Sequence, residues 1–193
     1  MNLADGLRDR HILITGASSG LGEAFAALCA QCGAEVTLVA RRRERLEEVA
    51  AELRAAGATV RTLELDIADD ARVAEAVASL ARPIDVLVNN AGTNVSGAAI
   101  DAGIGSFDQV VATNLRGLWS ISVACARRWR DEKRGGVIVN IASILSTRLA
   151  SGLAAYAVSK SGVIKMTEAL ALEWARYGIR VNAISPGYIA TDI

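Results

Sequence analysis

Short apolar runs alternate with amphipathic stretches along most of the chain. The apolar runs are rich in Val, Ile and Leu and lack polar alternation; they are residues 11–15, 35–40, 59–65, 84–88, 137–141 and 179–184. Strands that are buried on both faces of a parallel sheet have this composition. The stretches with helical periodicity between them are residues 20–32, 43–56, 69–80, 104–130 and 155–177. Gly33, Gly57 and Gly178 follow helical stretches, where a left-handed cap is needed.

This alternation predicts an α/β fold with a doubly wound parallel sheet, in a single domain that spans residues 1–193. Right-handed crossovers place helices on both faces of such a sheet. Its ligands bind beyond the carboxyl ends of the strands, where the strand order reverses. Polar motifs directly after the predicted strands are therefore candidate ligand contacts.

The composition excludes several classes of function. The 193 residues are 52% hydrophobic and carry 21 basic and 21 acidic side chains, so neither disorder nor a nucleic-acid partner is expected. No apolar run approaches the roughly 20 residues of a membrane span, so no membrane partner is expected. Cys29, Cys32 and Cys125 make an odd count that suits a reducing cytoplasm. For Cys29 and Cys32 we favour a buried structural role over redox chemistry, and we predict no metal site.

A glycine-rich turn, Thr15–Gly22 (TGASSGLG), joins the first strand to the first long helix. Its glycines let backbone amides approach a diphosphate, and the helix N-terminus favours an anion. The alternative is a turn that is glycine-rich only for tight packing. It is not a P-loop, because no Lys-Ser/Thr follows the last glycine. The turn predicts a dinucleotide site with these candidate contacts: Gly16, Ser18, Ser19, Gly20, Leu21 and Gly22.

The end of the second strand bears on which dinucleotide binds. An NAD site usually has an acidic residue here, whereas this chain has Ala40 followed by Arg41. A guanidinium suits a 2′-phosphate, so we favour NADP(H) over NAD(H). The alternative is a solvated helix start, since residues 42–48 alternate in sign, and Ser19 is not basic and adds no second cation for the phosphate.

The third and fourth strands also end in candidate cofactor contacts. Asp66, followed by Ile67, could accept the adenine amino group or cap the next helix. Asn90, Ala91 and Gly92 are small enough to allow close approach of the backbone to a ligand, although a simple turn would use the same residues.

Tyr156 and Lys160 lie four residues apart, so on a helix they share one face. A free tyrosine, with a pKa of about 10, is a poor acid or base at neutral pH, and a nearby cation favours the phenolate. Lowering that pKa to about 7 needs roughly 4 kcal/mol. An exposed ion pair supplies only about 0–1 kcal/mol. The pair therefore makes chemical sense only in a partly desolvated cleft; otherwise it is an ordinary feature of a helix surface.

The motifs occur together and in order: Thr15–Gly22, Asn89–Gly92, Asn114, Ser143, Tyr156 with Lys160, and Pro186–Gly187. In this combination the chain resembles the short-chain dehydrogenase/reductase family, and it looks most like the bacterial 3-oxoacyl-carrier-protein-reductase-like branch. The resemblance covers nearly the whole chain. It implies a Rossmann-type fold and NADP(H)-dependent hydride transfer to or from a ketone or secondary alcohol, such as a 3-oxoacyl thioester, a cyclic ketone or a sugar-like compound.

The resemblance also implies residue roles. Tyr156 would be the general acid or base, and Ser143 would hydrogen-bond the substrate oxygen. Lys160 would bind the nicotinamide ribose, and Asn114 would hold a water in a proton relay to Lys160. Besides Tyr156 and Lys160 themselves, further residues near the cofactor would be Ile67, Asn90, Ala91, Gly92, Pro186, Gly187, Ile189 and Thr191.

Members of the family normally continue beyond the position of Ile193, with a substrate-covering segment, a helix and a last strand. We therefore expect a C-terminal segment that this sequence does not contain. In such relatives the counterparts of residues 104–130 and 155–177 pack between subunits, so a homotetramer is implied, although burial against the sheet would explain their composition too. A non-catalytic cofactor-binding sensor or assembly module is the main alternative function, and a sugar-nucleotide epimerase or dehydratase ranks below it.

Overall fold

The strands of the protein form one parallel sheet, as the alternation of apolar runs predicts. The computed structural model describes residues 3–189. Its strands are β1 (His11–Thr15), β2 (Glu35–Ala40), β3 (Val60–Glu64), β4 (Val86–Asn89), β5 (Gly136–Ile141) and β6 (Ile179–Ile184). Within the described residues they lie in the order β3-β2-β1-β4-β5-β6. The order reverses between β1 and β4, so the carboxyl ends of these two strands flank the expected ligand crevice.

The helices connect the strands and cover both faces of the sheet. They are α1 (Leu3–Leu7), α2 (Gly20–Gln31), α3 (Arg43–Ala55), α4 (Asp70–Ser79), α5 (Ile104–Val111), α6 (Leu118–Asp131) and α7 (Ala154–Trp174). Short 3₁₀ turns follow β5 at Ile144–Ser146 and α7 at Ala175–Tyr177. The predicted left-handed caps are confirmed, with φ of 81° at Gly33, 88° at Gly57 and 70° at Gly178. Helix α1 has no counterpart among the predicted elements.

Two apolar layers pack against the two faces of the sheet. Leu13 of β1 points into the layer that holds Ile121 and Trp129 of α6. Its neighbours Ile12 and Ile14 point into the opposite layer, with Leu46 of α3. All residues of β1 are buried. Burial of both strand faces explains why the sequence of this strand shows no polar alternation.

The predicted continuous helix over residues 104–130 is wrong in one respect. A π-helical segment, Ala112–Gly117, separates α5 from α6. A π turn widens the helix locally and often marks a functional position. Asn114 and Gly117 are the buried residues of this segment. The hydrophobic periodicity does not reveal the π turn, because the residues on either side remain helical.

The cysteines have the surroundings expected of structural thiols. Cys29, at the end of α2, packs half-buried against the second apolar layer. Burial raises the pKa of the Cys29 thiol to about 11, which disfavours the reactive thiolate at neutral pH. Cys125 is fully enclosed in the first layer.

Residues 3–189 contain no group of three or more His, Cys, Asp or Glu side chains arranged to hold a metal ion. In the same range, no helix has the length and hydropathy needed to cross a bilayer.

Candidate active site

A cavity of about 390 Å³ lies at the carboxyl ends of the strands, across the point where the strand order reverses. Its lining includes most of the residues predicted from the sequence: Gly16, Ser18, Ser19, Leu21, Arg41, Asp66, Ile67, Asn90, Ala91, Gly92, Ser143, Tyr156, Lys160, Pro186, Gly187 and Ile189. The strand order places Arg41 and Asp66 at the β2–β3 end and Ser143 at the β5–β6 end. The tertiary structure thus brings motifs that are far apart in sequence to one cavity.

The glycine-rich turn packs closely against the residues that follow β4. A β-carbon on Gly16 would lie 2.8 Å from the Ala91 Cα, and one on Gly22 would lie 2.2 Å from the Gly16 carbonyl oxygen. Ser19 precedes α2, and its side chain makes no capping hydrogen bond in the described structure. The backbone amides of the first turn of α2 are therefore available to an anion, which fits a bound diphosphate. Gly20 and Gly22 shape this turn from behind the cavity lining.

Arg42, rather than Arg41, connects the second strand to the glycine-rich turn. Arg42 Nη2 donates to Ser18 Oγ at 3.0 Å and to Ser19 Oγ at 2.8 Å. Arg41 is exposed and lies 3.9 Å from a carboxylate oxygen of Asp66. Both guanidinium groups line the cavity, so this end is positively charged although the chain has no net charge.

Lys160 and Tyr156 lie on the first turns of α7, with the ammonium 5.6 Å from the centre of the phenol ring. Lys160 is only 3% exposed, and burial lowers its pKa from 10.5 to about 8. Its Nζ donates to the carbonyl oxygen of Ile141 at 2.6 Å. None of the ion pairs among residues 3–189 involves Lys160. An ammonium has three donors, so two remain for a ligand in the cavity.

Ser143 follows β5 and begins the 3₁₀ turn at Ile144–Ser146. Its Oγ accepts a hydrogen bond from the Leu145 amide at 3.1 Å. This contact fixes the side-chain rotamer and leaves the hydroxyl proton free to donate. Ser143 and Tyr156 both line the cavity, so the two hydroxyl groups can approach one oxygen atom of a bound molecule.

Asn114 lies behind the cavity lining rather than in it, in the π-helical segment. Its Oδ1 accepts from the Thr93 amide at 2.7 Å, and its Nδ2 donates to the Thr93 carbonyl at 2.9 Å and to Ser159 Oγ at 3.1 Å. Ser159 Oγ in turn donates to the carbonyl of Tyr156 at 2.7 Å. These bonds use both polar atoms of the amide, so in this structure the Asn114 side chain acts as a clamp between the end of β4 and the first turn of α7.

A ladder of buried polar side chains holds the ends of β4 and β5 together. Asn89 and Asn140 are paired in the strand register, and Asn89 Nδ2 donates to Asn140 Oδ1 at 2.9 Å. Asn89 Nδ2 also donates to Ser122 Oγ of α6, and Asn140 Nδ2 donates to Thr167 Oγ1 of α7. The Asn89 Oδ1 atom accepts no hydrogen bond from the described residues. The ladder ties these two strands to α6 and α7.

The structure adds cavity residues that the sequence motifs missed: Val39, Ala40, Arg42, Leu65, Thr93, Asn94, Thr113, Ile141 and Ala142. Most of them directly precede or follow a predicted residue, so extending each strand end by one or two positions would have found them. Arg42 had a further signal, since it belongs to the basic run after β2. Thr191, a predicted cofactor contact, lies outside the described residues.

Comparisons with known proteins show the family and the fold of this chain. A sequence profile of the short chain dehydrogenase family matches residues 10–193. An uncharacterised oxidoreductase of Caenorhabditis elegans is 35% identical over 191 residues, which are 96% of this chain and 61% of the relative. The chain thus spans less than two thirds of the length of that relative.

Two solved structures share the whole described fold. A gluconate 5-dehydrogenase from Burkholderia cenocepacia J2315, in complex with NADP and tartrate, matches with a TM-score of 0.92 at 31% identity, over 99% of this chain and 76% of its own. NAD⁺-bound xylitol dehydrogenase matches with a TM-score of 0.91 at 34% identity, over 95% of this chain and 72% of its own.

Proposed function

The chain belongs to the short-chain dehydrogenase family, and from that premise we propose that it interconverts a ketone and a secondary alcohol with NADP(H), using Tyr156 as the general acid or base. The observation that carries the proposal is the buried Lys160 ammonium beside the Tyr156 ring, in a cavity that also holds the uncapped N-terminus of α2. A buried charge without an ionic partner is costly, and a function at that position explains why it is retained.

The cavity residues fit a nicotinamide dinucleotide, which supplies or accepts a hydride when bound. The N-terminus of α2 suits the diphosphate, because its amides are free of a side-chain cap. The β2–β3 end, with Arg41 and Asp66, suits the adenosine half. The opposite end, with Tyr156 and Lys160, suits the nicotinamide half, and the two remaining donors of Lys160 suit ribose hydroxyl groups.

In the proposed reaction the side chains of the protein carry out the proton transfer, and the cofactor carries the hydride. In the reductive direction the Tyr156 hydroxyl donates its proton to the carbonyl oxygen of the substrate, and in the oxidative direction the phenolate accepts it. Ser143 donates a hydrogen bond from its hydroxyl group to the same oxygen. The Leu145 amide already donates to Ser143 Oγ, so the side chain is fixed and its proton is free for the substrate. The Lys160 ammonium, 5.6 Å from the centre of the ring, places a positive charge beside the group that gives or takes the proton. Asn114 and Ser159 keep the first turn of α7 in place.

Tyr156→Phe tests the proposal most directly. We expect the loss of NADPH oxidation with every substrate that the wild type reduces, while NADPH still binds in a fluorescence titration. General acid–base catalysis contributes about 10²–10⁴-fold, so turnover should fall by at least that factor. Tyr177→Phe is the matched control, since Tyr177 lies beyond the end of α7 and does not line the cavity. Unchanged turnover in Tyr156→Phe would contradict the role of Tyr156.

The substrate panel should compare polyols and sugar acids with 3-oxoacyl thioesters and cyclic ketones. The gluconate and xylitol dehydrogenases among the structural neighbours support the hydroxylated class. Thr93 and Asn94 support it too, because they add polar groups to the cavity lining. Binding of NADPH by the wild type without turnover of any member would favour a non-catalytic cofactor-binding module instead.

A preference for NADP(H) rests on Arg42 and Arg41. The Arg42 guanidinium already contacts the hydroxyl groups of Ser18 and Ser19, so it lies between the second strand and the diphosphate turn, where a 2′-phosphate would arrive. We expect Arg42→Ala to weaken NADPH binding at least tenfold and to leave NADH binding within twofold. Arg45→Ala, on the exposed face of α3, is the control. Equal weakening of both cofactors would refute a phosphate-specific role.

Self-association is part of the same proposal. Trp119 of α6 and Val158 and Leu172 of α7 are large apolar side chains that are exposed in the isolated chain. Packing of these helices against a second copy would bury them, as in a homotetramer. Size-exclusion chromatography with light scattering tests this, and a monodisperse monomer at micromolar concentration would contradict it.

A further inference from the structure

The inner face of the π-helical segment contacts the wall of the cofactor cavity through Gly117. A β-carbon built on Gly117 would lie 2.8 Å from Ile67 Cγ1, 3.0 Å from Ile67 Cδ1 and 2.9 Å from the Ile67 carbonyl oxygen. A Cβ atom is essentially never found within 3.0 Å of a non-bonded heavy atom, so a side chain at position 117 must push Ile67 and the π-helical segment apart. Because Ile67 also lines the cavity, displacement of Ile67 moves the cavity wall.

Ile67 cannot move freely to make room. The Asp66 carboxylate accepts from the Ala68 amide at 3.0 Å, and the Asp69 amide donates to the Asp66 carbonyl at 3.1 Å. These two bonds hold the peptide groups on either side of Ile67. The neighbour of Gly117, Arg116, forms an exposed ion pair with Asp70 at the start of α4, which adds a weak contact between the two segments. The turn at Ile67 is therefore held mainly by its own backbone hydrogen bonds.

The contact lies at the end of the cavity away from the proton-handling residues. Ile67 follows β3, the outermost strand on that side of the sheet, and its neighbour Asp66 faces Arg41. Asn114, three residues before Gly117, clamps Thr93 and Ser159 on the side of Tyr156. One short segment thus supports both halves of the cavity, with Gly117 facing the Ile67 side and Asn114 facing the Tyr156 side.

We propose that Gly117 is a positioning residue for the adenosine half of the cofactor site, where the absence of a side chain lets the π-helical segment set the position of Ile67. The inference rests on the proposed function, because it takes the β2–β3 end of the cavity to hold adenosine. It assigns to the π-helical segment a role in cofactor affinity that is separate from the role of Asn114 near the reacting groups.

The test is Gly117→Ala with two matched glycine controls. Gly105→Ala, on α5, introduces a methyl group with no atom within 4 Å. Gly162→Ala, on α7, also faces the π-helical segment, but its β-carbon would meet only the Leu115 side chain, at 3.0 Å or more. We expect Gly117→Ala to weaken binding of NADPH and of adenosine 2′,5′-bisphosphate at least tenfold. The KM for NADPH should rise, while kcat at saturating NADPH stays within about twofold. Both controls should bind like the wild type.

A double variant separates the steric contact from a general loss of stability. Ile67→Ala removes Cγ1 and Cδ1, two of the three atoms that a β-carbon on Gly117 would meet. The effect of Gly117→Ala on affinity should therefore be several-fold smaller in the Ile67→Ala background. If Gly117→Ala alone does not fold, the double variant is compared with Ile67→Ala instead: a folded double variant with the affinity of Ile67→Ala supports the steric contact, and a further tenfold loss of affinity contradicts it.

Two results would overturn the inference. The first is wild-type affinity in folded Gly117→Ala; if the melting temperature is lowered at the same time, the contact is structural only. The second is an equal loss of affinity in both backgrounds. In either case the wild type still binds NADPH and the proposed function survives. Failure of the wild type itself to bind NADPH or adenosine 2′,5′-bisphosphate would overturn the proposed function and this inference together.

Discussion

Replacing Lys160 with methionine is expected to stabilise the folded chain at neutral pH while abolishing turnover. Burial lowers the pKa of Lys160 from 10.5 to about 8. At about 1.36 kcal/mol per pKa unit, the buried ammonium costs the folded state about 3 kcal/mol at pH 7. Methionine has a similar length and no charge, but it leaves the Ile141 carbonyl without its donor, which offsets about 1–2 kcal/mol of the gain. The net gain at pH 7 should be about 1–2 kcal/mol.

The dependence on pH distinguishes this explanation from better packing by methionine. Between pH 8 and 10.5 the unfolded chain keeps the Lys160 proton that the folded chain releases, so the free energy of unfolding of the wild type rises with pH. The free energy of unfolding of the wild type, relative to that of the variant, should therefore rise by about 2 kcal/mol between pH 7 and about 9.5. Below pH 8 both states of the wild type are protonated, and the difference should be constant.

Urea unfolding followed by tryptophan fluorescence measures this difference at each pH. Lys165→Met is the matched control, since Lys165 lies on the same helix with its side chain 80% exposed and paired with Glu168. The control should differ from the wild type by an amount that does not change with pH. If the difference between Lys160→Met and the wild type is equally independent of pH, the ammonium is not desolvated and the reasoning about the site fails.

Three further predictions follow from buried groups elsewhere. The sole histidine, His11, is buried, and its pKa is lowered from 6.5, chiefly by desolvation. The free energy of unfolding of the wild type should therefore fall as the pH drops below 6.5, because the unfolded chain binds the proton more readily. In His11→Gln this part of the pH dependence should disappear, and an equal pH dependence in urea unfolding at acid pH would contradict the explanation. A β-carbon at Gly136 would lie 2.3 Å from the buried Trp129 indole, so Gly136→Ala should cost about 3 kcal/mol and lower the melting temperature by about 6–12 °C, whereas an unchanged melting temperature would refute the contact. Burial raises the pKa of Cys125 to about 12, so iodoacetamide at pH 8 should modify it only after unfolding in urea, and rapid labelling of the native protein would show that the thiol is accessible.

The strands and most of the helices could be predicted because their signals are local. The runs that became β1, β2 and β6 have the predicted bounds. Burial of both faces, which was expected of every run, is found in β1 and β2, but it is wrong for β6, where buried positions alternate with the exposed Arg180 and Asn182. Strand β4 ends one residue later than predicted, at Asn89, because this polar residue pairs with Asn140 in the strand register. A polar residue in a buried strand is acceptable only when other elements supply its hydrogen bonds, and those elements are distant in sequence.

The candidate site was predicted as a set of motifs but not as a set of contacts. Tyr156 and Lys160 were identified by their spacing, and Ser143 by its position before them. The sequence did not indicate that Arg42, next to the predicted Arg41, contacts the glycine-rich turn. The direction of a side chain after a strand depends on the folded loops around it. The hydrogen bonds of the Asn114 amide to Thr93 and Ser159 could not be predicted either, because these residues belong to two other elements; that Asn114 holds a water stays a prediction.

By itself the sequence determined the α/β alternation, the glycine-rich turn after β1 and the Tyr156–Lys160 face of α7, because each depends on residues within a few positions of one another. Only the tertiary structure decided that Lys160 is buried without an ionic partner in the described part of the chain. It also decided that a π turn interrupts the helix at Asn114, and that Gly117 rests on Ile67. These features arise where distant segments compete for the same volume, and such competition leaves no periodic signal along the chain.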